Sequence, residues 1–160
     1  MIRPATAADA EGLAELLLDA VAGGASVSFM ADFTPPQAIA YWRTIIQDPL
    51  RVVLVAGKCD GTATLILETP PNQPHRADLA KMLVHRRARN RGIGRALFEA
   101  VCHEARKRGR TLLTFDTMSG SPAERLYLSC GCVKVGEIPQ YALWPDGSGP
   151  DATSIFYKRL

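Results

Sequence analysis

The chain has 160 residues, 47% hydrophobic and 22% charged. That balance excludes a disordered chain and allows a core without disulfide or metal staples. Its net charge of +3, from 19 Lys and Arg against 16 Asp and Glu, is too small to imply a nucleic-acid protein.

The start, MIRPATAADAEGL, lacks the apolar core of a signal peptide, and no apolar run approaches the ~18 residues of a membrane span. A soluble cytoplasmic protein with no membrane partner is expected. Met1 to Pro4 suits a short strand. Thr6 or Asp9 can cap a helix that carries Leu13, Leu16, Leu17 and Val21 at helical spacing and ends at Gly23 and Gly24. The loop ASVSFMADFT sets Val27, Phe29, Met30 and Phe33 between turn residues. Pro35 and Pro36 then suit the first turn of a second helix, which Pro49 stops after Asp48.

RVVLVAGK and TATLILE flank an Asp60-Gly61 turn and should pair as an antiparallel hairpin. After the PPNQP connector comes the strand HRADLAKMLV, then an arginine-crowded loop and an amphipathic helix ending at Arg108. Gly109 gives a turn and TLLTFDT a strand. A short helix follows from Pro122 to Ser129, with Ser121 as its cap and Gly131 at its end. CVKVGEI and ATSIFYKRL are two closing strands joined by a long excursion through Trp144 and PDGSGP. This order predicts an α/β (α+β mixed) fold, a mixed sheet with helices on both faces. With no repeat or linker, residues 1–160 are expected to form a single domain.

Cys59, Cys102, Cys130 and Cys132 follow neither zinc-ligand nor disulfide spacing and read as reduced thiols. His75, His85 and His103 show no ligand spacing either.

The most informative stretch is Leu79 to Arg108, in which a strand, a loop and a helix follow without a break. Arg86, Arg87, Arg89, Arg91 and Arg95 fall within this loop and helix start. Backbone N–H groups at a helix N-terminus are unpaired and lie at the positive end of the helix dipole, so a phosphate is favoured there. Gly92 and Gly94 lack a Cβ and allow a ligand close to the main chain. A Walker A run is absent, and a dinucleotide fingerprint would need glycine where Leu97 stands. What is left is R-x-x-G-x-G, written Arg89-Asn90-Arg91-Gly92-Ile93-Gly94. No aromatics are interleaved with these arginines, which argues against single-stranded nucleic acid.

With this motif the chain resembles the GCN5-related N-acetyltransferase (GNAT) superfamily, which places [QR]-x-x-G-x-[GA] between its fourth strand and the next helix. A second motif carries the resemblance: Ala123-Glu124-Arg125-Leu126-Tyr127, followed by Cys130-Gly131-Cys132, is similar to A-x-x-L-Y-x-x-x-G-F, with Cys132 in place of the Phe. The Asn that often precedes the alanine by three is Gly120, flanked by Ser119 and Ser121. FDTMSGS, GEIPQY, WPDG and SIFYK further resemble the tabtoxin-resistance acetyltransferase branch.

The resemblance implies a twisted, mostly antiparallel GNAT sheet, acetyl-CoA as cosubstrate, and no metal. It assigns the CoA pyrophosphate to Arg89, Asn90, Arg91, Gly92, Ile93, Gly94 and Arg95, and pantetheine amides to the main chain of Leu83 and Val84. Ser121 is the candidate for the missing Asn contact, and Tyr127 takes the position of the acid that protonates the departing thiolate. It also implies a homodimer through the C-terminal strands.

A primary amine must lose a proton before it attacks. Asp116, at a strand end, is the first candidate base, with Asp78 and Glu68 behind it. Arg86 and Arg87 are either a solvated basic edge or contacts for the CoA 3′-phosphate. Ser26 to Phe33, Tyr141 and Trp144 are candidates for a lid. The function implied is acetyl transfer from acetyl-CoA to a primary amine of a small molecule by direct attack in a ternary complex. The alternatives are a non-catalytic acetyl-CoA sensor and an enzyme acting on protein or peptide amines.

Overall fold

A computed structural model describes every residue from Met1 to Leu160. Its strands are β1 (Ile2–Pro4), β2 (Arg51–Ala56), β3 (Gly61–Leu67), β4 (Arg76–Val84), β5 (Leu112–Met118), β6 (Val133–Ala142) and β7 (Asp151–Arg159). Its helices are α1 (Ala10–Ala22), α2 (Pro35–Gln47), α3 (Ile93–Lys107) and α4 (Pro122–Ser129). The order of elements matches the sequence expectation. Thr6 is the cap, but of a single 3-10 turn, Ala7–Asp9, that runs directly into α1. No helix is long and apolar enough to cross a membrane.

One sheet contains all seven strands in the order β1-β2-β3-β4-β5-β7-β6. Only the β4–β5 pair is parallel. Strand alternation divides the core into two layers. Leu54, Ala63, Leu65, Leu79, Leu113 and Phe115 face α3, while Val53 and Val55 face α1 and α2 around the fully buried Trp42. The expected mixed sheet with helices on both faces is therefore present.

Two irregularities in β4 position the site. Pairing with β5 covers only Arg76↔Leu112 to Asp78↔Thr114, although β4 runs on to Val84 and β5 to Met118. Beyond Asp78 the two strands part, and the main chain of β4 on that side has no strand partner. The second irregularity is a bulge. Thr62 pairs with Leu83 and Thr64 with Ala80, so two steps on β3 span three on β4, and Lys81 takes φ +49°. The extra residue reverses the alternation: Ala77 and Leu79 face the α3 layer, but Leu83 faces the α1–α2 layer.

The C-terminal hairpin differs from expectation. β6 continues past CVKVGEI to Ala142, because register shifts at Lys134/Gly136 and Ile138/Ala142 absorb the irregular segment around Pro139. As the last strand of the sheet, β6 also tolerates a proline that lacks a donor. The excursion is thereby reduced to residues 143–150.

Candidate active site

The loop between β4 and α3 is built as an anion nest. Asn90 (φ +60°) and Gly92 (φ +76°) adopt left-handed backbone on either side of Arg91, which turns successive N–H groups toward one side. The N–H groups of Asn90, Arg91, Gly92, Ile93, Gly94 and Arg95 have no acceptor within the protein. A run of unpaired donors at a helix N-terminus fits a pyrophosphate.

The two glycines have different jobs. A Cβ on Gly92 would meet nothing within 4 Å, so this position needs glycine for its backbone conformation. A Cβ on Gly94 would lie 3.0 Å from Leu126 Cδ2, so here the missing side chain seats α3 against α4. Gly61 has a related role. Its Cβ would fall 2.9 Å from Ile93 Cγ2 and Leu97 Cδ1, so glycine there lets the start of α3 lie on the sheet.

The arginines divide into two groups. Arg86 donates from its main-chain N (2.9 Å) and Nε (2.8 Å) to the Asp19 carboxylate, and Arg87 pairs with Glu15 at 3.2 Å. Both partners lie on α1, so these two arginines fasten the loop to that helix. Both side chains stay more than half exposed, so the clamp is part of a solvated basic edge. Arg89 donates to the Val84 carbonyl at 3.3 Å and Arg95 to Ser129 Oγ at 2.9 Å, while Arg91 makes no side-chain bond within the protein. A hollow of about 270 Å³ lies between α3 and α4, with Arg95, Arg106 and Lys158 on its wall. Since Arg86 is held by Asp19, Arg86→Ala should change the KM for acetyl-CoA less than twofold. The exposed pair should contribute no more than about 1 kcal/mol to stability, as checked by chemical denaturation.

Tyr127 sits on the α3 side of the sheet, 5% exposed, with ring centroids of Phe115, Phe98 and Phe156 at 4.5, 5.7 and 6.0 Å. Its hydroxyl bonds to no protein atom. The fully enclosed unpartnered side-chain atoms are Trp42 Nε1, Thr64 Oγ1 and Arg110 Nε, so the phenol oxygen keeps an opening. Burial raises the phenol well above its ordinary pKa and keeps it protonated. Ser121 caps α4: its Oγ accepts from Glu124 N at 3.2 Å and lies 3.4 Å from Thr117 Oγ1. Glu124, behind the cap, takes bonds from Gly120 N and from Lys134 Nζ at 2.7 Å, which hold its carboxylate below its usual range.

Asp116 and Tyr127 are not neighbours on one face. Phe115 points to the α3 layer with Tyr127, so the adjacent Asp116 points to the opposite face. The two therefore flank the β4–β5 opening from opposite sides. Asp116 is exposed, and its Oδ2 accepts from Thr153 Oγ1 at 2.7 Å. The two weaker base candidates have structural partners: Asp78 holds Arg76 and Thr114 at the closed end of the β4–β5 pair, and Glu68 lies 3.4 Å from Arg76.

Sequence reasoning missed Lys81. The bulge turns its side chain to the face of Asp116, where Nζ bonds to Ser28 Oγ at 3.0 Å and lies 5.4 Å from the centre of the Phe29 ring. Burial lowers its pKa, with the Asp116 carboxylate opposing the shift. Nothing at Lys81 hints at a bulge locally, because a glycine or asparagine would be the usual signal. The lid candidates meet in part: Phe29 stacks on Phe33 at 4.3 Å, and Ala31 N donates to the Pro145 carbonyl at 2.9 Å, beside Trp144. Tyr141 is half exposed on β6.

A donor-lined turn at the head of a helix lies beside a sheet that opens at its central parallel pair, an arrangement that fits a phosphate-bearing ligand next to a cleft. Residues 12–132 match the acetyltransferase (GNAT) family, and the chain belongs to that family. It is similar along 100% of its length to a GCN5-related N-acetyltransferase from Kribbella flavida, at 25% identity over 97% of that chain and a TM-score of 0.82. A ribosomal-protein-alanine N-acetyltransferase from Brucella melitensis matches 100% of the chain, at 25% identity, 99% coverage of its own length and a TM-score of 0.79. The fold is also that of yncA from Salmonella typhimurium, solved with its cofactor acetyl-CoA, at 20% identity, coverage of 100% and 93%, and a TM-score of 0.82. The match is to the family as a whole and does not single out the tabtoxin-resistance branch.

Proposed function

We propose that this acetyltransferase moves the acetyl group of acetyl-CoA to a primary amine of a small molecule, by direct attack within a ternary complex. The observation that carries the proposal is the row of unpaired N–H groups from Asn90 to Arg95, leading to an opening in the sheet beside the unpartnered Tyr127 hydroxyl. Acetyl-CoA supplies an activated thioester, and the rest is the work of the chain. The N–H groups of residues 90–95 bind the pyrophosphate, with the Arg89, Arg91 and Arg95 side chains adding charge. The main chain of β4 at Leu83 and Val84, on the side without a strand partner, orients the pantetheine amides once Arg89 yields the Val84 carbonyl, and Ser121 offers its hydroxyl from α4. Tyr127 donates its proton to the sulfur as the thiol leaves. Asp116, on the other face, receives the ammonium and takes its proton directly or through water.

The aromatic loop of Phe29 and Phe33, tied to Pro145, narrows the acceptor side and favours a small molecule, of the antibiotic or toxin type that the tail motifs suggest. A second reading is a protein N-terminus, which the name of the Brucella relative favours. Four free cysteines suit a reducing cytoplasm. The test is release of CoA thiol from acetyl-CoA against a panel of small amines and N-terminal peptides, with initial rates taken over both substrates. Thiol release with a small amine and intersecting rate lines are expected. Tight acetyl-CoA binding without turnover on any amine would mark a sensor, and turnover on peptides alone would favour the second reading.

We also infer a homodimer through the edge strand β6, where Val133, Val135 and Tyr141 are 47%, 66% and 51% exposed. Light scattering should give twice the chain mass, and Val135→Lys should return a monomer.

A further inference from the structure

On the acceptor face, beside the opening of the sheet, Lys81 has no carboxylate in contact. Arg51 bonds to Asp48 at 2.9 Å and Arg76 holds Asp78 and Glu68, whereas Lys81 meets only a hydroxyl and an aromatic ring. An ammonium has three donors, and Ser28 takes one. Both residues of that bond are non-glycine residues in left-handed backbone, Lys81 at φ +49° and Ser28 at φ +73°. Such conformations are disfavoured and persist where surrounding structure imposes them, often at functional sites. Here two of them, 53 residues apart, converge on one half-buried cation beside the opening of the sheet. Asp116, on the same face, offers the opposite charge. The chemistry complementary to a cation and a carboxylate on one face of the opening is a zwitterion.

Resting on the acetyl-transfer reading above, we propose that Lys81 selects acceptors that carry a carboxylate near the reacting amine, so that the substrate class is amino-acid-like. The ammonium end of the acceptor faces Asp116 and the opened strand pair, and the carboxylate takes the two free donors of Lys81. A lysine that served only to staple the Ser28–Phe33 loop would support binding of charged and neutral acceptors alike.

The test is equilibrium binding, which does not depend on turnover. N-acetyl amino acids and their carboxamides, as product-like probes, are titrated calorimetrically into the enzyme saturated with CoA. The carboxylates should bind at least tenfold tighter than the matched carboxamides. Lys81→Met should bring that ratio close to one, and Lys81→Arg should retain part of it. Equal binding of carboxylate and carboxamide to the unaltered enzyme overturns the proposal, whatever the variants do. So does a preference that survives in Lys81→Met. Failure of every amine to release thiol would instead strike at the acetyl-transfer reading.

Discussion

Replacing Tyr127 by Phe is expected to lower kcat by about a hundredfold or more, the range lost when a positioned general acid is removed, while the KM for acetyl-CoA stays within a few fold. The ring packs among Phe98, Phe115 and Phe156, and Phe keeps all of that contact. The hydroxyl bonds to no protein atom, so its loss strands no partner, and the thermal midpoint should hold or rise slightly. The sign of the pH effect follows from burial, which raises the phenol above its ordinary value. Above about pH 10 an unfolded chain would ionise its tyrosine while the folded one keeps the proton, so this group's contribution to stability falls as pH rises past that point. For the same reason the phenol stays a donor throughout the neutral range. Any alkaline decline in rate due to Tyr127 should begin above the usual phenol pKa and be absent from Tyr127→Phe. A mutant at full rate would remove the acid role.

Gly92→Val should act on the other half of the reaction, weakening acetyl-CoA binding by tenfold to a hundredfold. Space is not the obstacle, since a Cβ there meets nothing within 4 Å. The obstacle is φ +76°, which costs an L-residue about 1–2 kcal/mol and a β-branched one more. Relief of that strain rotates the neighbouring peptides, and the aligned N–H groups from Asn90 to Arg95 are lost with it. Gly94→Ala is the informative contrast. Gly94 is helical, and the close atom is the end of the flexible Leu126 side chain, so a small shift accommodates the methyl group. Isothermal titration with acetyl-CoA should place Gly94→Ala near the unaltered protein and Gly92→Val far from it.

The strand–loop–helix turn was legible because its signal is local: two glycines, a strand before and a helix after, within one continuous stretch. The helix that carries Tyr127, with Ser121 as its cap, was legible for a similar reason, whereas the acid role of Tyr127 rests on the family motif alone. What the sequence left hidden depends on pairing between distant segments. Arg86 meets Asp19 across 67 residues, and no local pattern distinguishes such a clamp from a solvated arginine. The bulge at Lys81 arises from register against β3, and it converts a residue of apparently ordinary alternation into a cation on the acceptor face. Gly94 was read as room for a ligand, yet its nearest demand comes from Leu126 on another helix. The opposite placement of Asp116 and Tyr127 was half legible. Alternation separates Asp116 from Phe115, but only the packing of α4 reveals that Tyr127 lies with Phe115.

The central claim is that one donor-lined turn holds the cosubstrate so that its thioester reaches the opening between β4 and β5. Amide chemical shifts of the isotopically labelled protein, followed as acetyl-CoA is added, test this most directly. The account predicts that the amides of Asn90 to Arg95 move most, together with those of β4 beyond Asp78 and of Tyr127. Saturable binding of acetyl-CoA that leaves the Asn90 to Arg95 amides in place would contradict it.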